Sequence, residues 1–285
     1  MVIDFRVRPP YKHFLDMGLY AGGFDPDYPS LAYGADPPRS VLKGDIGAFI
    51  AELDEAGIDH AVVCGRDSKD LFFGKGNVPP DEVYELVNCY KGRLIGVAGI
   101  DALDPKAPKI IERSIRDLGL SGISLEPAWC AEPCYCDDPR FEPIYQKAAE
   151  LNVFVMITLS FLLGPDLSYS DPVHLEHVVS KYSDINFLVP HASWPHFIGM
   201  MAVTMKHKNL HMIPDFYMYL PFMPMRADFM PMFNTVLKRQ VVYASSYPVR
   251  SLSQALTMWK NQDWDPEALQ FTLHQNAARI LKLNK

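Results

Sequence analysis

The sequence predicts a closed (β/α)8 barrel, the TIM-barrel form of the α/β class, and three observations predict it. Eight short, nearly continuous apolar runs alternate strictly with longer segments of helical spacing, the pattern of parallel strands buried on both faces between covering helices. The chain has 285 residues, and such barrels typically use roughly 250. No Gly-x-Gly-x-x-Gly follows any run, which weakens the competing open, doubly wound sheet. A single domain spanning 1–285 is expected.

The predicted strands are Val2–Val7, His60–Cys64, Leu94–Ile100, Gly122–Leu125, Val153–Leu159, Ile185–Val189, Leu210–Ile213 and Gln240–Ala244. Each is rich in Val, Ile, Leu or Phe and bounded by polar or turn-forming residues. Helical spacing fills Asp45–Ala56, Asp81–Tyr90, Pro105–Leu118, Phe141–Leu151, His174–Tyr182, His196–Met205 and Ala227–Leu237, with Leu252–Lys260 and Pro266–Leu283 after the last run. The segment Phe14–Ser40, carrying glycines, prolines and aromatics, reads as a long loop after the first strand. A long loop in a compact domain is usually a lid or a site wall.

Composition narrows the function. Hydrophobic residues make up 48% of the chain, enough for a large core and incompatible with disorder. A net charge of −7 without a Lys/Arg run lacks the footprint that holds a phosphate backbone, so nucleic acid is not an expected partner. The longest apolar stretch, Val153 to Gly164, is too short to cross a bilayer. The opening Met1-Val-Ile-Asp-Phe-Arg-Val-Arg does not read as a secretory signal. Five cysteines do not read as a disulfide framework, so a reducing cytoplasm is the expected location.

Barrel chemistry gathers at the C-terminal ends of the strands. The runs deliver Asp4, Arg6 and Arg8, then Arg66 and Asp67, Asp101, Glu126, Thr158, His191, Asp215, and Ser245 with Ser246. Period-2 alternation sets Ile3, Phe5 and Val7 against the helices and aims Arg6 and Arg8 into the barrel. Buried guanidiniums need anionic partners. Those partners are either Asp4, Glu126 and Asp215 in a structural ion network or a carboxylate or phosphate on a substrate. His191 is a candidate acid/base or a hydrogen-bonded structural histidine.

Three further features are weaker. Cys130, Cys134 and Cys136 crowd three thiols into seven residues, but a structural zinc site wants four ligands and no fourth stands nearby. His174 and His177 stand three apart on a predicted helix, a spacing that can bind metal; their place at the helix start favours a solvated face. The methionines between Met212 and Met232 are expected in the core and pocket wall.

The chain resembles the amidohydrolase-related family, the metal-dependent hydrolase and decarboxylase branch of the amidohydrolase superfamily. The likeness rests on Ile3-Asp-Phe-Arg-Val-Arg-Pro9, Val189-Pro-His-Ala-Ser-Trp-Pro195, Tyr243-Ala-Ser-Ser-Tyr-Pro248 and the closing Leu273-His-Gln-Asn-Ala-Ala-Arg-Ile-Leu281. It implies the same barrel fold and, in many members, a homo-oligomer. It also exposes departures. The family's first-strand His-x-His falls on Arg6 and Arg8, its fifth-strand histidine on Thr158 and its eighth-strand aspartate on Ser246. Of the usual metal ligands only the sixth-strand histidine survives, as His191.

The expectation is therefore a hydrolase, lactonase or decarboxylase acting without the usual divalent metal on a small carboxylate-bearing compound. Arg6, Arg8, Arg66, Ser246, Thr158 and Trp194 would bind the anionic substrate, and His191, Asp215 and Glu126 would carry the proton chemistry. Two alternatives stay open. One is a metallohydrolase with a divalent ion such as zinc on Glu126, His191 and Asp215; the other is an inactive barrel that binds a small anion or a partner subunit.

Overall fold

The computed structural model describes residues 1–21, 36–67, 76–221, 223–224 and 226–283. Seven parallel strands pair in chain order: β1 Ile3–Val7, β2 His60–Cys64, β3 Leu94–Gly99, β4 Gly122–Leu125, β5 Phe154–Ile157, β6 Phe187–Pro190 and β7 Leu210–Ile213. The sequence assigns β2, β4 and β7 to the residue. The eighth run, Gln240–Ala244, is not a regular strand. It nevertheless bridges the two edges: Met212 N–H donates to the Gln240 carbonyl and Val242 N–H to that of Met212, while Phe5 and Arg8 N–H donate to the Tyr243 and Tyr247 carbonyls. The Tyr243 N–H instead reaches the Thr272 carbonyl in the final helix, 3.0 Å away. One amide spent on a helix is what interrupts the ladder.

Covering helices run Ile46–Ala56, Pro80–Cys89, Ala107–Arg116, Glu142–Leu151, Pro172–Lys181, Phe197–Lys206 and Leu252–Lys260. Their starts follow local chemistry. Asp45 and Asp171 accept the first free amides, from Gly47 at 2.7 Å and Val173 at 2.9 Å, and prolines occupy first-turn positions where no N–H is needed. The expected helix Ala227–Leu237 is broken into a 3-10 turn, Arg226–Phe229, and a short helix, Met230–Phe233. Pro231 has no amide to continue an earlier turn. The expected helix Pro266–Leu283 contains a π turn, Phe271–Gln275, between Pro266–Gln270 and Asn276–Ile280. Within the expected loop Phe14–Ser40, helical turns occupy Lys12–Asp16 and Gly18–Ala21, and residues 22–35 lie outside the described residues.

Two apolar clusters divide the core. One gathers helix residues and outward strand residues, among them Phe49, Val83, Ile123 and Val155. The other draws on the strands around the barrel, with Ile3, Phe5, Val62, Cys64, Met156 and Leu188, and is plugged from below by Ala277, Ala278 and Ile280. That second cluster is the barrel interior, and it corrects the alternation expected for β1. Ile3 and Phe5 point inward, Val7 packs with the helix-facing cluster, and the β1–β2 register shifts between Asp4 and Val7. The irregularity separates Asp4 from the arginines: both arginines line the barrel mouth and Asp4 does not.

Candidate active site at the barrel mouth

Inward parity continues past the strand ends. From Cys64 it reaches Arg66, from Ser124 Glu126, from Met156 Thr158, from Ile213 Asp215 and from Ala244 Ser246. Arg6, Arg8, Arg66, His191 and Ser246 line one cavity together with Trp129, Ser160, Leu162, Phe216 and Tyr247.

Two polar groupings form its floor. In the first, Glu126 is buried between arginines: its Oε1 accepts from Arg8 Nη2 at 2.5 Å and its Oε2 lies 2.7 Å from Arg66 Nε. Burial alone would push the Glu126 carboxyl up, but Arg8, then Arg66 and Arg6, hold it down at about 2. The Arg66 guanidinium lies over the Trp129 ring, 4.5 Å from its centroid.

In the second, Arg6 Nη1 donates to Ser246 Oγ at 3.2 Å, and Ser246 Oγ donates to Asp215 Oδ2 at 2.8 Å. The same carboxylate oxygen lies 2.8 Å from His191 Nδ1, in a bent contact rather than a straight hydrogen bond. Burial pushes the His191 pKa down, Asp215 pulls against it, and Arg6 and Arg8 add to the lowering. Among the described residues no carboxylate lies within ion-pair distance of Arg6, and His191 Nε2 has no hydrogen-bond partner. Burial, then Arg8, lowers the Arg6 pKa.

The backbone here is unusual. His191, Ala192 and Ser193 have φ of 66°, 47° and 60°, Asp215 44° and Ser246 54°. Positive φ in residues other than glycine costs on the order of 1 kcal/mol each and collects at sites where side chains must be aimed. Tyr20 OH donates to the Arg8 carbonyl at 2.6 Å and Tyr219 OH to that of Ser245 at 2.7 Å, fixing both strand ends.

Asp215 and Glu126 thus stand behind the cavity wall, in contact with groups that line it. Thr158 and Trp194 are not part of the wall. The Thr158 hydroxyl is buried without a hydrogen-bond partner, and Trp194 stacks on Tyr217 at 5.3 Å. Sequence reasoning missed Trp129, Ser160, Leu162, Phe216 and Tyr247. Phe216 and Tyr247 each follow a residue it did name, whereas Trp129 and Leu162 sit on excursions with no periodicity to expose them.

An α/β barrel with its polar groups collected at the strand ends is the class that fold and site define. The chain belongs to the amidohydrolase family, whose profile matches residues 27–283. Among solved structures, an uncharacterised TIM-barrel protein from Bordetella bronchiseptica superposes with a TM-score of 0.90 at 28% identity, over 99% of this chain and 98% of that one. A 5-carboxyvanillate decarboxylase from Novosphingobium aromaticivorans, with bound manganese and 3-methoxy-4-hydroxy-5-nitrobenzoic acid, superposes with a TM-score of 0.66 at 15% identity over 99% and 97%. A probable 2-pyrone-4,6-dicarboxylic acid hydrolase from Acinetobacter baumannii, with citric acid bound, gives 0.65 at 14% identity over 99% of each chain. No curated protein matches the chain.

The family resemblance implies a divalent metal at this end of the barrel, and the residues present do not fit one. By that resemblance the first two ligand positions fall on Arg6 and Arg8, and a guanidinium has no lone pair to give. Glu126 is engaged by Arg8 and Arg66. The set Glu126, His191 and Asp215 does not bring one ligand atom from each within 4.8 Å of the others.

Proposed function

We propose that this chain is a hydrolase of small carboxylate-bearing esters, lactones or amides, and that it works without a metal at the barrel mouth. The observation that carries the reading is Arg6: a buried guanidinium on the cavity wall, bonded to a neutral hydroxyl, with no carboxylate at ion-pair distance among the described residues. Such a cation is poised for an anion delivered by a ligand. Arg8 and Arg66 face the same cavity but share Glu126, which makes them a rigid positive wall rather than free grips. Trp129 and Phe216 supply flat apolar surface beside them.

His191 is the base in this reading. Its Nδ1 is held toward Asp215, which leaves Nε2 to take a proton from water as that water attacks the acyl carbon. The same nitrogen returns the proton to the departing oxygen or nitrogen. A lowered pKa keeps the imidazole neutral, hence able to accept a proton, below its ordinary 6.5, and the positive wall of Arg8 and Arg66 faces the oxyanion that forms. The acid limb of kcat/KM should therefore fall below pH 6.5 and disappear with His191→Ala.

Isothermal titration of small di- and tricarboxylates tests the site directly. Arg6→Met should weaken binding at least about 100-fold, the loss of a desolvated charge pair of roughly 3 kcal/mol. Equal affinity in wild type and Arg6→Met would sink the assignment.

A further inference from the structure

The helix Pro172–Lys181 presents His174 and His177 one turn apart, which by spacing alone is an ordinary solvated face. The fold adds a third group. The excursion after β4 brings Asp137 between them, so that His174 Nδ1 lies 2.9 Å from Asp137 Oδ1 and His177 Nδ1 lies 2.7 Å from Oδ2. One ligand atom from each residue falls within 4.8 Å of the other two, and among the described residues this is the one such group of three.

We propose that Asp137, His174 and His177 form a divalent-cation site, zinc by its donor set, on the outer wall of the barrel and separate from the mouth. Two imidazole nitrogens and a carboxylate oxygen are a zinc donor set, with one position left for water. In a tetrahedral site with bonds of about 2.0–2.1 Å, neighbouring ligand atoms stand roughly 3.3 Å apart. The present N···O gaps, one to each carboxylate oxygen, are about half an ångström shorter than that, and His177, 62% exposed, is free to yield.

The rest of the site is held. The His174 ring stacks on Tyr135 with centroids 3.9 Å apart. Tyr135 in turn stacks on Tyr169 at 4.6 Å, and its hydroxyl hydrogen-bonds Ser168 Oγ at 2.9 Å. Nearby cations are already neutralised: Lys181 pairs with Glu142 at 2.6 Å, and Arg140 with Asp138 at 2.8 Å and Glu132 at 3.0 Å. Without metal, each imidazole Nδ1 contacts one oxygen of the carboxylate, and a bound cation would take the place of those two contacts.

Bound there, the ion would tie the excursion after β4 to the helix after β5. That excursion carries Trp129, a wall of the mouth cavity. The ion is a clamp on the loop and takes no part in proton transfer at His191.

Zinc titration of tag-free, metal-stripped chain tests it, with cobalt(II) as the spectroscopic probe. One equivalent should bind and raise Tm, and cobalt should show the intense visible bands of a four-coordinate N/O site. His177→Ala, at an exposed position that tolerates truncation, should weaken binding by at least about tenfold, as should Asp137→Asn. Undiminished binding in both variants would overturn the proposal. So would saturable binding that disappears only in Cys134→Ser or His191→Ala, or no saturable binding at all.

Discussion

At the scale of single residues, the mouth separates charges that support one another from one that does not. Glu126 neutralises Arg8 and Arg66 in a buried setting, so Glu126→Gln should destabilise the chain by on the order of 3–5 kcal/mol in urea unfolding. Arg6→Met should leave stability unchanged or slightly raised, because no buried carboxylate loses its partner. The contrast distinguishes a structural ion pair from a ligand-directed cation. Asp4 offers a third test. Burial raises its pKa from 3.8 to about 6 against hydrogen bonds from the Ser245 and Arg6 amides. The folded chain therefore keeps this proton to higher pH than the unfolded chain. The associated stability is full below 3.8 and is lost as pH rises through about 6. Asp4→Asn keeps the acceptor oxygen and cannot ionise. Its Tm advantage over wild type should grow across that window and level off above it.

Among elements, close approach matters as much as propensity. A Cβ at Gly99 would lie 2.3 Å from the Arg66 amide nitrogen and 2.4 Å from its Cα. That overlap is with backbone, which cannot swing aside, so β2 and β3 can only come together here over a glycine. Gly99→Ala should cost about 1–3 kcal/mol and displace Arg66 from Glu126. Anion affinity should fall alongside Tm; a normal titration curve in a destabilised variant would uncouple the strand contact from the site. The β1 irregularity belongs to the same scale. Strict alternation would have turned Arg6 and Arg8 to opposite sides from Phe5, whereas the shift lets apolar residues fill the barrel below and guanidiniums line it above.

For the molecule as a whole, the final helix is a structural plug. Ala277, Ala278 and Ile280 close the lower end of the interior cluster, and the Thr272 carbonyl within the π turn receives the Tyr243 amide. Ala278→Asp would bury an unpaired carboxylate under the barrel. Several kcal/mol of stability should be lost, with midpoints by circular dichroism and tryptophan fluorescence falling together. Separate transitions by the two probes would mean that the helix is an appendage. A chain with a net charge of −7 nevertheless concentrates three arginines in one cavity. The positive charge of the mouth is thus a property of this local cluster rather than of the global charge.

Much of this was legible in the chain. Apolar runs and helical spacing depend on neighbours a few residues away, so the strand–helix alternation, the barrel class and the bounds of β2, β4 and β7 could be read directly. Strand ends come with the strands, so Arg6, Arg8, Arg66, His191 and Ser246 are readable as mouth residues from the runs that carry them. Long-range packing decided the remainder. The amide of Tyr243, drawn to the Thr272 carbonyl in the final helix, interrupts the eighth strand, and the register shift in β1 reassigns its faces. The fold alone sets Trp129 against Arg66 and lowers Asp137 between two histidines. Those contacts join excursions with no period of their own, and no local pattern encodes a distance between them.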